Sequence, residues 1–394
     1  MTRVLAFTDL RPREIDEPLS ASGVDAAVVS VAPDGSLLAR AWAQIRDGIR
    51  VARADSPDVV VAFNGSGILG AVAVAVGLWL SVPVLIRVNG DVARQHHERV
   101  AHHRRRREYR AAIAYVLQAA ITRATFAAAD GFLVVSAALA DVIREQTGAP
   151  DSRIAVVHSP VPDVRSGEDG DDHEGGAGGN GDHDDADVDA LDRPDGVERT
   201  LLTVTNLNFA GKREGVETVV GELWPHLPED TEYVIAGDGV HRGDLETYIA
   251  ETVADPAVRE RIRTPGYVED VGALYDRADA FVYVSHIDGY PNAVLEAQEA
   301  ALPVLANAAH GMVEQVDHGE TGLLVAPDWR GSVRNGVRWT LADPGLRRRL
   351  GEAARERVRT ENDPARVGAA MADAIDGILG DIERDHRAAA GGSE

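Results

Sequence analysis

Short runs rich in Val, Ile and Leu alternate with longer helical stretches along almost the whole chain, and that alternation leaves few folds open. Strands without a polar face must be covered on both sides, so the pattern dictates parallel sheets with helices on each face. The runs fall into two sets: 4–7, 25–31, 59–63, 84–88, 132–135 and 154–158, then 201–205, 233–236, 263–267, 280–284, 304–306 and 322–325. The expected fold class is therefore α/β, with two doubly wound Rossmann-like domains. The 394-residue length agrees, because a single core stops growing near roughly 250–300 residues. Residues 1–160 make the first domain and 200–362 the second, while residues 363–387 form a last helix that crosses back onto the first. Between the domains, residues 166–195 are dense in Asp and Gly and almost devoid of apolar side chains, so they read as a disordered acidic insertion. Asp185, Asp187 and Asp189 in that insertion resemble the start of a calcium loop. Ala190 stands where such a loop needs Gly, and Gly196 where it needs Glu, which counts against calcium.

Charge narrows the partners. Acidic residues number 64 against 40 basic ones, a formal charge of -24, which gives strong self-repulsion unless salt screens it. Such a balance fits the salt-rich cytosol of a halophilic archaeon and argues against nucleic acid, whose phosphates need a basic face. Cysteine is absent, so disulfides, thiolate metal sites and a cysteine nucleophile are excluded. The chain opens directly on an apolar strand without a charged-then-apolar leader, so the expected location is cytoplasmic. Residues 68–86 carry no charge over a length that could span a membrane, but Ser81 and Pro83 divide them into a helix and a buried strand.

Two places carry chemistry. Lys212 is the sole lysine of the chain, set where a strand ends and a helix begins, a position suited to phosphate charge. Its uniqueness is equally what a coding bias toward arginine would leave. Directly after the strand at 280–284 comes Asp288-Gly289-Tyr290-Pro291-Asn292-Ala293-Val294-Leu295-Glu296. Gly289 permits a tight turn, and Pro291 suits a first helical position because its missing N–H would be unpaired anyway. The free amides of Asn292 and Ala293 then face a helix N-terminus that attracts phosphate. Glu296, two turns on, can accept hydrogen bonds from a vicinal diol such as a ribose. The plainer alternative makes Asp288 a turn former and Glu296 a solvated helix residue.

Asp288 and Glu296, separated by seven residues and followed by Ala301-Leu302-Pro303, resemble the signature of the family-4 retaining glycosyltransferases of the GT-B fold. Other landmarks match in order: residues 204–215 with Lys212 on the family lysine, Ala236-Gly237-Asp238-Gly239, Pro265-Gly266-Tyr267-Val268 with Leu274-Tyr275, Gly311 with Glu314, and residues 319–325. The resemblance covers nearly all of the second domain and is weaker in the first. It implies two domains facing each other across a cleft, a nucleotide-sugar donor on the second and a glycan or lipid-linked acceptor on the first. It implies catalytic roles for Asp288 and Lys212. Donor contacts would come from Asn206, Lys212, Arg213, Gly237, Gly289, Asn292, Ala293, Glu296, Gly311 and Glu314, and acceptor-side contacts from Asn89 and Asp91. Neither a cofactor nor a metal is implied, and the sugar would be transferred with retention. The sequence departs from the family at Asn206, where arginine is common, at Asp288, a shortened glutamate, at Asn89, where a histidine often stands, and at His310, which replaces a glycine. The paired glycines usual after the first strand are missing between residues 8 and 19. The rival reading from another class is a non-catalytic nucleotide-sugar-binding or scaffold subunit on the same fold. A pyridoxal-phosphate phosphorylase would need Lys212 for its aldimine, and a nicotinamide dehydrogenase would need a Gly-x-Gly-x-x-Gly turn that neither first strand leads into.

A basic run stands out against the acidic background: His96, His97, Arg99, His102, His103, Arg104, Arg105, Arg106, Arg107 and Arg110, expected on one long helix. It offers peripheral membrane contact through Arg104, Arg105, Arg106 and Arg107, or else a solvated face paired with neighbouring acids. The histidine spacing also admits zinc, but no carboxylate scaffold accompanies it.

Overall fold

Strands that are apolar along their whole length need neighbours and cover on every side, and in a computed structural model of the chain they build two six-stranded parallel sheets. The structure describes residues 2–8, 24–30, 37–63, 65, 67–162, 193–325 and 340–391. The acidic insertion, apart from residues 193–195, and the stretch after the first strand lie outside the described residues. The chain divides into two compact units, Met1–Pro160 with Asn362–Glu394, and Val161–Glu361.

Unit 1 runs β1 (Arg3–Thr8), β2 (Asp25–Ser30), α1 (Leu37–Asp55), β3 (Val59–Phe63), α2 (Gly67–Leu80), β4 (Val84–Val88), α3 (Val92–Arg105), α4 (Tyr109–Ala128), β5 (Gly131–Val134), α5 (Ala137–Thr147) and β6 (Ile154–Val156). Its strand order is β2-β1-β3-β4-β5-β6. Successive side chains leave a strand on opposite faces. Leu5, Phe7, Val60 and Ala62 accordingly pack with Ala52 of α1 and Leu69, Val72 and Val76 of α2, while Val4, Ala6, Val59 and Val61 face the other way. The uncharged segment 68–86 thus divides between α2 and β4, buried along β4 and one face of α2, while Leu78 and Trp79 near the end of α2 are exposed.

Unit 2 runs β7 (Arg199–Val204), α6 (Ala210–Thr218), β8 (Thr231–Ala236), α7 (Arg242–Thr252), α8 (Pro256–Arg259), β9 (Ile262–Gly266), α9 (Val271–Arg277), β10 (Ala280–Tyr283), α10 (Asn292–Glu299), β11 (Val304–Asn307), α11 (Met312–Gln315), β12 (Gly322–Val325) and α12 (Pro344–Glu361). Here the order is β12-β11-β10-β7-β8-β9. The last helix, α13 (Pro364–Gly391), returns to unit 1. Its Val367, Met371, Ile375, Ile378 and Ile382 recur at helical spacing and fill the face of the first sheet that α1 and α2 leave open. Each such side chain contributes about 1.5–3 kcal/mol on burial.

The basic run does not form one helix. α3 ends at Arg105, Arg107 turns with φ +62°, and α4 starts afresh at Tyr109. Residues 104–110 are all exposed, so no apolar contact offsets the repulsion among four consecutive arginines. The break is closed locally by Glu108, whose carboxylate lies 2.6 Å from His103 Nδ1 and whose N–H donates to the His103 carbonyl. That contact holds the Glu108 carboxyl below its usual range.

α10 ends in a paired-hydrogen-bond cap: the Leu302 N–H donates to the Ala297 carbonyl and the Ala301 N–H to the Gln298 carbonyl, each at 2.9 Å. This cap needs a left-handed residue, and Ala301 supplies it at φ +58° despite its Cβ. Ala301→Gly is expected to raise the unfolding free energy by about 0.5–1 kcal/mol, relief of the left-handed strain being partly offset by a freer unfolded chain. Urea denaturation of both proteins measures it.

Candidate functional site

In unit 2 the strand order reverses between β7 and β10, so the chain leaving each of these strands turns away from the other and opens a crevice at their carboxyl ends. Small residues let the two exits meet. A Cβ on Gly215 would come within 1.8 Å of the Val284 carbonyl oxygen, and the His286 N–H donates to the Gly211 carbonyl. α6 is thereby seated directly on the loop that follows β10. On the far side of β7, Gly237 lies at φ +134° with Thr205 packed so tightly that a Cβ would sit 1.8 Å from its carbonyl oxygen. Gly237 thus serves the turn between strands.

This packing brings Lys212 and Asp288 together. Lys212 Nζ lies 3.1 Å from Asp288 Oδ1, with the two side chains 8% and 14% exposed. The second carboxylate oxygen, Oδ2, accepts from the Tyr283 hydroxyl at 2.6 Å. The backbone N–H groups of Ile287 and Asp288 both donate to Ser285 Oγ. Asp288 is therefore fixed in place from three directions, and the ammonium keeps further donors beyond the one on the carboxylate.

Glu296 is held in the same manner. The Tyr275 hydroxyl donates to Glu296 Oε2 at 2.7 Å. Burial, and after it the Glu296 charge, push the Tyr275 pKa well up, so this phenol stays a donor. Beneath the site, Tyr275, Phe281 and Tyr283 form an aromatic row with ring centroids 5.7 and 6.0 Å apart, so one stack delivers a hydroxyl to each carboxylate. Pro291 is the residue before α10 rather than its first helical residue, and Asn292 begins the helix exposed. The loop is braced from β11 and α11: Asn307 exchanges two hydrogen bonds with the backbone of Ser285, and Gln315 Nε2 donates to the Pro291 carbonyl. Gly311 lies flat against Gly289, whose carbonyl oxygen would be 1.9 Å from an added Cβ. Glu314 follows on α11, its carbonyl taken by Arg357. His310, standing where the family has glycine, adopts φ +52°, the conformation that glycine adopts without strain.

Other expected residues lie apart from this constellation or have other work. Arg213 pairs with Glu217 at 2.7 Å, an acid whose pKa burial raises. Asn206, 5% exposed, has an Oδ1 without a hydrogen-bond partner among the described residues, the kind of orphan a ligand satisfies. Asn89 and Asp91 belong to unit 1. Asp91 caps α3 by accepting from the Arg94 N–H and also takes Gln146 Nε2, so its carboxylate has a structural task. Among the described residues, no group of three or more acidic or histidine side chains could hold a metal ion. Tyr283, Ser285, Asn307 and Gln315 are functional residues that no motif in the sequence marks. Tyr283 carried a signal, since a tyrosine closing an aliphatic strand needs a partner for its hydroxyl.

Residues 194–357 match the family model for glycosyl transferases group 1, and residues 3–165 match that for glycosyltransferase family 4. A glycogen synthase of Mycobacterium tuberculosis is 25% identical over 348 residues, 85% of this chain and 73% of that protein. LpcC of Rhizobium leguminosarum, a lipopolysaccharide core biosynthesis mannosyltransferase, is 27% identical over 43% of this chain and 49% of its own. Among solved structures, Anabaena HepE in complex with UDP aligns with a TM-score of 0.64 at 14% identity, over 95% of this chain and all (100%) of that one. A sucrose-phosphate synthase from Thermosynechococcus elongatus gives 0.61 at 17% identity, over 99% and 100%. At these identities the structural likeness speaks to fold alone, and the fold is GT-B.

The Tyr275 shift has a consequence for stability. In the unfolded chain this phenol loses its proton near about pH 10, whereas in the folded chain it keeps it, so its contribution is complete below that pH and is lost as pH rises above it. Buried Tyr233 acts in the same direction. Unfolding free energies measured by urea at pH 8 and pH 11 are expected to fall more in the wild type than in Tyr275→Phe.

Proposed function

We propose that this chain, a glycosyltransferase of the GT-B fold, moves a sugar from a nucleotide-sugar donor bound by unit 2 to a hydroxyl acceptor bound by unit 1, with retention at the anomeric carbon. The observation that carries this reading is the Lys212–Asp288 pair at the switch point, in the loop that leads into α10, the helix that carries Glu296. Glu296, oriented by Tyr275, accepts from the ribose hydroxyls. The diphosphate lies against the free amides at the start of α10, with Lys212 turned to it. As the bond to the sugar breaks, negative charge gathers on the leaving diphosphate, and a fixed ammonium in a largely buried site stabilises it without reorganising. Asp288 orients Lys212 and faces the donor sugar. The departing phosphate itself takes the acceptor proton, and neither a metal nor a cofactor is needed. Lipid-linked or cell-surface glycan is the acceptor class that relatives such as LpcC suggest.

A donor-binding subunit without turnover is the second reading, favoured by Asn206 in place of a phosphate-binding arginine. Release of free sugar from a nucleotide sugar, even slow, separates the two.

The test is a binding panel of UDP, GDP, ADP and their common sugars in high salt, read by thermal shift and calorimetry. Wild type is expected to select one base. Glu296→Gln and Lys212→Ala are each expected to weaken that nucleotide about tenfold or more, the loss of one charged hydrogen bond or ion pair. Lys212→Ala also strands a buried carboxylate at a cost of about 3–5 kcal/mol, so its fold is checked by circular dichroism. A folded wild type that binds none of these nucleotides overturns the proposal.

A further inference from the structure

The molecule has a second unusual surface, and it lies in the other unit. Ile113, Val116 and Leu117 of α4 are 60%, 51% and 59% exposed, and Ile121 one turn further on is 37% exposed. Ile113, Leu117 and Ile121 recur every fourth residue and so form one stripe. Unit 2 exposes only Val240 and Val313 among its described large apolar residues, so the exposed apolar surface belongs to unit 1, where Trp42 of α1 and Leu78 and Trp79 of α2 are exposed in addition to the α4 stripe. By length and composition α4 could cross a membrane, but its opposite side buries Ala112, Thr122, Thr125 and Phe126 in unit 1, packed on α2 and β5. It is therefore fixed in the domain with one apolar face outward, the geometry of a helix that lies on a membrane rather than through it.

Charge follows the same boundary. Residues 59–129 contain nine arginines and only three acids, Asp91, Glu98 and Glu108, in a chain of net charge -24. Four of those arginines, Arg104 and Arg105 at the end of α3 and Arg106 and Arg107 in the turn that leads into α4, are exposed, and α4 itself has no carboxylate. We propose that α4 and its preceding turn dock this chain on an anionic lipid bilayer, the apolar stripe entering the headgroup boundary and the arginines meeting phosphates. The complement of an apolar stripe flanked by exposed cations is an apolar layer beneath a sheet of phosphates. Pairing α4 with a second copy would offer the arginine turn no acid from the facing helix.

The inference needs nothing from the donor site, so the two can fail separately. The full chain is sedimented with vesicles of phosphatidylcholine alone and of phosphatidylcholine mixed with phosphatidylglycerol, at the lowest salt at which circular dichroism shows it folded. Wild type is expected to partition onto the mixed vesicles and not the neutral ones. The double substitution Ile113→Ser with Leu117→Ser, and separately Arg105→Ser with Arg106→Ser, are each expected to lower that partition about tenfold. Both pairs are exposed, and unaltered nucleotide affinity in the variants shows that unit 2 is intact. Failure of wild type to bind mixed vesicles, or binding that neither double variant changes, overturns the proposal. So does a dimer, seen by light scattering, that Ile113→Ser with Leu117→Ser dissociates while vesicles stay unbound, since the stripe then belongs to a second copy.

Discussion

A parallel sheet covered on both faces has no room for uncompensated polar groups except where its strands end. In unit 2 both faces are filled, one by Leu201, Tyr233, Ile235 and Val282, the other by Leu202, Val234, Phe281 and Val304. Lys212 and Asp288 consequently meet past the carboxyl ends, and the reversal between β7 and β10 decides which ends. The glycines then set the distance. Without Gly215 against Val284, α6 would stand off from β10, and the ammonium of Lys212 would not reach Asp288.

The two carboxylates of the site are not left to solvent. Each accepts from a tyrosine that is itself a core residue, and the two tyrosines are joined through Phe281. A functional carboxylate must hold its position against several rotamers, and a hydroxyl anchored in a packed core restricts it at no cost in further mobile groups. This arrangement also bears on the short side chain at Asp288. An aspartate reaches one carbon less far than a glutamate, and the Tyr283 hydroxyl together with Lys212 fixes that shorter reach from both carboxylate oxygens.

Much of this was legible from residue order alone because it rests on local rules. The strands were readable from their apolar runs, the α10 start from Pro291 and the preceding turn, and the spacing of Asp288 and Glu296 from nine consecutive positions. What was not legible depends on contacts across the chain. Nothing near Tyr283 in sequence says that it meets Asp288, because that requires knowing how the loop folds back over the strand end. Arg213 stands next to Lys212 in sequence as a second phosphate contact, and only the turn of α6 shows it engaged with Glu217. Nothing within the basic run, neither Gly nor Pro, marks a helix end, while residues 104–110 are exposed and the chain breaks at Arg107.

The face of α4 marks the limit of reading hydropathy without structure. An apolar 20-residue helix in an α/β protein is ordinarily a core element, and its composition fits that assignment as well as any other. Exposure decides otherwise, since α2, α3 and β5 leave the Ile113, Leu117 and Ile121 side of it uncovered. A chain with so many acids elsewhere had ample means to mask that stripe by a few Glu or Asp substitutions, the ordinary way to keep a surface helix solvated. Instead α4 carries no acid at all, and the arginines collect at its leading end. An acidic surface repels an anionic bilayer everywhere except where it is interrupted, so the same net charge that keeps the rest of the protein away would orient unit 1 by this one helix.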